Sequence, residues 1–143
     1  MTERDLYPGI LAGAKADNIL LCRIADGQNT GKKPFDIFGI GWGGIAIAIE
    51  VKVSKGVSLT GERAMKLLLP HQQNWIRAYG ICGGLSIVAV YSEITHRIYI
   101  FGHDEEYKFM LYKENKIWRG WPAAISIAKK SSYRKDYNVL SIV

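Results

Sequence analysis

The chain has 143 residues, 48% of them apolar and 22% charged, with a formal net charge of +6. That length supports a single domain, residues 1–143, with a real core, and the composition excludes a disordered or fibrous chain. The excess of Lys and Arg favours a polyanionic partner. Cys22 and Cys82 lie in apolar segments and form no CxxC, so buried free thiols in a reducing compartment are expected. Glu3, Arg4 and Asp5 precede any apolar run, and glycines or charges interrupt every long apolar stretch. Neither a secretory signal nor a membrane span is expected, which predicts a soluble, cytoplasmic protein.

Leu6, Ile10, Leu11 and Ala14 give residues 2 to about 17 a helical stripe, with Thr2 or Asp5 as N-cap. Pro8 fits if this helix begins near Tyr7 or if Pro8 occupies its first turn. Residues 19–24 read as a short strand, followed by a polar loop that ends in Lys32 and Lys33. A second strand is expected over 34–40, with Phe35 and Ile37 on one face and Asp36 mid-strand on the other. GIGWGG then turns tightly, exposing Trp42, into a long strand over 43–56. There Ile45, Ile47, Ile49, Val51 and Val53 alternate with Ala46, Ala48, Glu50 and Lys52, the period of a strand covered on both faces.

A short helix is expected to end near Leu69, and Pro70 starts another whose apolar side holds Leu67, Trp75, Ile76 and Tyr79. That spacing places Trp75 in the core. LSIVAVYS and HRIYIFG form a hairpin, residues 107–112 fit either a strand or a helix, and a last helix covers about 122–129. A basic tail runs from about 129 to 143. The class is α/β, a sheet flanked by helices.

Asp36, Glu50 and Lys52 carry the chemistry that spacing alone suggests. The two strands pair antiparallel, so both carboxylates can share a hard cation, with Lys52 placed to orient a water or neutralise charge. A structural ion pair between Glu50 and Lys52 is the alternative. Lys55, Arg63, Lys66, Lys32 and Lys33, and Lys129, Lys130, Arg134 and Lys135 of the tail, suit phosphate contacts or an ordinary solvated surface. Trp118 and Trp121, near Arg119, suit either base stacking or a dimer interface. No phosphate-binding loop, zinc spacing or nucleophile elbow occurs.

Pro34-Phe35-Asp36, followed fourteen residues later by Glu50-Val51-Lys52, resembles the signature of the PD-(D/E)xK nucleases. Thr2-Glu3-Arg4-Asp5-Leu6 resembles the first-helix glutamate motif of archaeal-type Holliday junction resolvases. Ile24-Ala25-Asp26-Gly27 resembles the segment before their aspartate. His71-Gln72, then Gly83-Gly84, is similar to the RecU-like branch of those resolvases. Together these motifs cover roughly the first hundred residues. Pro8-Gly9 departs from the family, whose first helix is unbroken.

The resemblance implies a restriction-endonuclease-like fold, a mixed four- or five-stranded sheet flanked by helices. It implies Mg2+ or Mn2+ at Asp36, Glu50 and the main-chain carbonyl of Val51, with Glu3 as an additional acidic group. Lys52 would be the water-positioning lysine, and Gln72 a helix residue near the nucleophile. The implied activity is metal-dependent endonucleolytic hydrolysis of DNA, leaving a 5′-phosphate. The implied substrate is branched DNA, a four-way junction foremost, cut by a homodimer. A non-catalytic DNA-binding or assembly protein that keeps the fold is the alternative.

Overall fold

The computed structural model describes residues 1–24, 35–56, 61–101 and 108–130, with the backbone alone at 61, 62, 108 and 130. Among them run α1 (Glu3–Ala16), β1 (Leu20–Arg23), β2 (Ile37–Ile40), β3 (Ala46–Ser54), α2 (Gly61–Lys66) and α3 (Pro70–Ile81). Then come β4 (Leu85–Ser92), β5 (Arg97–Phe101), β6 (Lys108–Glu114), β7 (Ile117–Arg119) and α4 (Trp121–Lys130). The strands lie in sequence order, β1 to β7, and only the β3–β4 pair is parallel. A parallel pair needs a crossover, and α2 and α3 supply it.

Alternation along the strands divides the interior into two cores. Ile47, Ile49 and Val51 of β3 pack with Leu6, Tyr7, Ile10 and Ala14 of α1 and with Trp121, Ala124, Ile125 and Ala128 of α4. Ala48 joins Phe35, Ala64, Leu68, Ile76, Val88 and Val90 in the other, with α2 and α3. All eight residues of β4 are buried, as a strand covered on both faces requires. Each of its large aliphatic side chains contributes on the order of 2 kcal/mol by leaving water.

Glycine lets α1 press directly onto β7. A Cβ added to Gly13 would stand 2.5 Å from the carbonyl carbon of Trp118 and 2.8 Å from its nitrogen, and one on Gly9 would stand 2.8 Å from the Lys116 oxygen. At the end of the helix Asp17 accepts hydrogen bonds from Arg119 Nε (3.0 Å) and Nη2 (2.8 Å). It also accepts from the N–H groups of Gly120 (3.1 Å) and Trp121 (3.2 Å). One carboxylate thus ties the end of α1 to β7 and to the first turn of α4. Burial pushes the Asp17 carboxyl up, but these donors outweigh it and hold it below the usual range.

Several expectations are corrected here. The sheet has seven strands among the described residues, not four or five. The ambiguous stretch is strand from residue 108, and β7 follows a two-residue turn at Asn115 and Lys116, whose φ angles are 49° and 69°. Consecutive left-handed residues are what a tight hairpin turn demands.

Helix α1 begins at Glu3 and runs unbroken through Pro8, its sixth residue, rather than starting near Tyr7. Proline there removes one intrahelical bond, which the packing of Leu6, Tyr7 and Ile10 offsets. Asp36 precedes β2 in a bend rather than lying mid-strand, so Phe35 and Ile37 enter opposite cores. Trp118 and Trp121 are 4% and 0% exposed and belong to the core, whereas Trp75 is 47% exposed. Trp42 is exposed, as expected, but Cys22 and Cys82 are exposed rather than buried. Lys129 and Lys130 fall within α4 and not in a tail.

Candidate active site

The β2–β3 ladder ends where Ile37 pairs with Ile49, and the next residues outward are Asp36 and Glu50. Asp36 N–H still donates to the Ile49 carbonyl at 3.2 Å. One residue further, Val51 N–H donates to Asp36 Oδ2 at 2.9 Å. The bend that takes Asp36 out of the strand therefore lets its side chain complete the ladder. Both carboxylates are buried, Glu50 at 1% and Asp36 at 7% exposure, a position that is costly without compensating polar groups. Glu50 keeps a polar interaction of its own, while its Oε2 accepts no hydrogen bond from the described residues.

Tyr7 reaches this point from α1. Its hydroxyl donates to Asp36, and the guanidinium carbon of Arg23 lies 4.7 Å over its ring centroid. Burial, then the Asp36 charge and hydrogen bond, push the phenol well above its ordinary value; Arg23 opposes the rise and Glu50 adds to it. The hydroxyl is therefore a hydrogen-bond donor throughout the neutral range.

These groups open on a cleft of about 430 Å³ lined by Thr2, Glu3, Arg4, Tyr7, Asp36, Val51, Lys52 and Gln72. The first turns of α1 and α3 form two of its walls, and the far end of β3 forms a third. Thr2 N–H donates to Asp5 Oδ2 at 2.9 Å, which caps α1 at the rim and holds the Asp5 carboxyl below its usual range. Gln72 Oε1 accepts from Leu69 N–H at 3.0 Å, which closes the first turn of α3 and leaves Nε2 as the group that can donate elsewhere. Glu3 and Lys52 are half-buried.

Five residues expected from the sequence thus share one cleft: Glu3, Asp36, Val51, Lys52 and Gln72. Glu50, the residue before Val51, is buried and does not itself line the cleft. Tyr7 and Arg23 were not anticipated. Position 7 enters the sequence reading only as a possible start of the first helix, and nothing local to it marks a hydroxyl that will be buried and need a partner. Lys55, Arg63 and Lys66 line a second cleft of about 310 Å³ with Val53, Ser54, Gly56 and Leu67, beyond the end of β3. Lys129 is exposed on α4 and lines neither cleft. Lys32, Lys33, Arg134, Lys135 and the side chain of Lys130 lie outside the described residues.

Among the described residues no group of three or more His, Cys, Asp or Glu side chains could by itself hold a metal ion. Mg2+ does not ask for such a cage. It is commonly held by one or two carboxylates, with water and substrate oxygens completing the shell. Asp36, Glu50 and the Val51 carbonyl supply hard oxygen donors only, so the donor set fits a hard divalent cation.

No family model and no curated protein matches the chain. Among solved structures it is similar to Hjc of Archaeoglobus fulgidus, a Holliday junction resolvase from an archaeal hyperthermophile. The TM-score is 0.52 at 20% identity, over 87% of this chain and 97% of that one. The two share a fold. The α/β arrangement of the described residues, a seven-stranded mixed sheet with four helices, is thus similar to a resolvase fold.

Proposed function

We propose that the protein is a divalent-metal-dependent DNA endonuclease selective for branched DNA, with a four-way junction as its foremost substrate. The observation that carries this reading is the meeting of Glu3, Asp36, Val51, Lys52 and Gln72 in one cleft, with the buried Glu50 adjacent to Val51 in the strand. The fold, similar to that of a junction resolvase, supports it.

Asp36, Glu50 and the Val51 carbonyl, with Glu3 at the mouth, would hold Mg2+ or Mn2+. Bound there, the ion would polarise a phosphoryl oxygen and ease the deprotonation of water. Lys52 orients the attacking water and offsets the negative charge that gathers around phosphorus. Gln72 Nε2 donates to an oxygen of the scissile phosphate. The water oxygen bonds to phosphorus, the bond to the 3′ oxygen breaks, and that oxygen leaves as a hydroxyl after taking a proton. A 5′-phosphate remains on the other fragment. Lys55, Arg63 and Lys66 neutralise phosphates along the substrate arm beyond β3, and Lys32, Lys33, Lys129, Lys130, Arg134 and Lys135 are further candidates for phosphate contacts. A homodimer would present two such clefts to the two strands of a symmetric junction.

The test incubates purified protein with end-labelled four-way, flap, nicked and linear DNA in Mg2+, Mn2+ or EDTA. Paired cuts in the junction, dependent on metal and lost in Asp36→Ala and Glu50→Ala with binding retained, are expected. Equal cutting by those variants refutes the metal site. Binding without cutting by the wild type in either metal replaces the reading with a non-catalytic DNA-binding protein.

A further inference from the structure

Tyr7 stands where three elements meet. It belongs to α1 and packs its ring in the core at 5% exposure. Its hydroxyl donates to Asp36, at the entrance to β2, and its ring lies under Arg23, the last residue of β1. Asp36 Oδ2 meanwhile accepts from Val51 N–H. A carboxylate held by one donor can still turn about its Cβ–Cγ bond. Two donors arriving from different elements arrest that rotation and fix the direction in which the oxygens present their lone pairs.

We propose that Tyr7 is a positioning residue: its hydroxyl, with the ring clamped beneath Arg23, aims the Asp36 carboxylate at the cleft so that it can bind a divalent cation. The proposal rests on the reading of the cleft as a metal-dependent nuclease centre. Groups that orient a ligating carboxylate typically affect metal affinity by about 10- to 100-fold. A competing effect has the opposite sign. Removing a donor from a carboxylate leaves it more basic and a better ligand, so a Tyr7 that merely packs or merely hydrogen-bonds would leave affinity unchanged or improve it when its hydroxyl is lost.

Tyr7→Phe keeps the ring, its packing and its contact with Arg23, and deletes only the hydroxyl. The experiment measures Mn2+ binding without DNA, from the EPR signal of free Mn2+, for wild type, Tyr7→Phe, Arg23→Ala and Asp36→Ala. Thermal unfolding in EDTA and the Mn2+ dependence of junction cleavage accompany it. Tyr7→Phe is expected to weaken Mn2+ binding about tenfold. The Mn2+ needed for half-maximal cleavage should rise by the same factor, and the rate at saturating Mn2+ should recover. Arg23→Ala, a change at an exposed residue, should weaken binding in the same direction by a smaller factor, and it carries the test should Tyr7→Phe not fold.

Mn2+ affinity equal to or tighter than wild type in the folded variants overturns the role of Tyr7, provided Asp36→Ala has lost binding. A wild type that binds no Mn2+, or an Asp36→Ala that binds as well as wild type, overturns the metal centre itself and the role of Tyr7 with it.

Discussion

Gly13→Ala is a severe perturbation for so small a change. In an exposed helix interior this substitution stabilises by about 1 kcal/mol, because alanine loses less backbone freedom on folding. Here the new Cβ would stand 2.5 Å from the Trp118 carbonyl carbon, whereas non-bonded carbons settle at about 3.5–4.0 Å. The obstacle is backbone, so no rotamer change relieves it. Helix α1 must withdraw from β7 by about 1 Å or more, and a gap of that size forfeits roughly a quarter to a half of the dispersion energy of each contact it opens. Overpacking of this kind costs about 1–3 kcal/mol and sometimes more. Strain on the Asp17 hydrogen bonds adds to it, so the net loss should be about 2–4 kcal/mol after the propensity gain. Urea unfolding followed by tryptophan fluorescence measures the change, because buried Trp118 and Trp121 report on this contact. A Gly13→Ala protein as stable as wild type, or more stable, would refute the close approach of α1 to β7.

Other substitutions probe the same framework. Asp17 has a depressed carboxyl, so its contribution is present above the unfolded value, near 3.8, and is lost as pH falls through the lower folded value. Asp17→Asn should lower the urea midpoint at neutral pH and flatten the loss of stability below about pH 4; acid limbs parallel to wild type would count against the Arg119 pairing. Trp121→Ala, at a fully buried site, should cost about 3–5 kcal/mol, and Trp75→Ala, on the exposed side of α3, less than about 1 kcal/mol, both by urea unfolding. Lys52→Ala should retain junction affinity in a gel-shift assay while single-turnover cleavage falls by about 100-fold or more; unchanged cleavage would remove Lys52 from the reaction.

Legibility differed between elements for physical reasons. The central strand was plain because Ile47, Ile49 and Val51 alternate with Ala48 and Glu50, and an alternation is local information. Strand β7 was missed because Lys116 occupies the second turn position, with a positive φ, where glycine would have announced a hairpin. Trp118 and Trp121 read as a stacking or interface pair because Arg119 lies between them, yet Asp17, more than a hundred residues earlier, ties that segment to α1, and both rings lie in the core that α1 shares. Trp75 has helical spacing with Tyr79, but the buried stripe of α3 runs through Ile76 and Gly80 one position over. At the cleft, the Glu50-Val51-Lys52 run shows directly in the chain. Tyr7 does not, since only the tertiary placement of α1 brings its hydroxyl to Asp36.

The bond between Asp17 and the turn into α4 also bears on the order in which the protein can be made. About a hundred residues of synthesis separate Asp17 from Trp121, which bond to one another. At roughly 5–20 residues per second, some 5–20 seconds pass before that anchor for α1 exists. Until then α1, which carries Glu3 and Tyr7, lacks this tie, while Asp36, Glu50 and Lys52 have already been synthesised. A chain cut short before β7 would keep β2 and β3 but lack the residues that tie α1 to the far edge of the sheet. Of the cleft's three walls, the one that α1 supplies therefore depends on residues that are made after the other two.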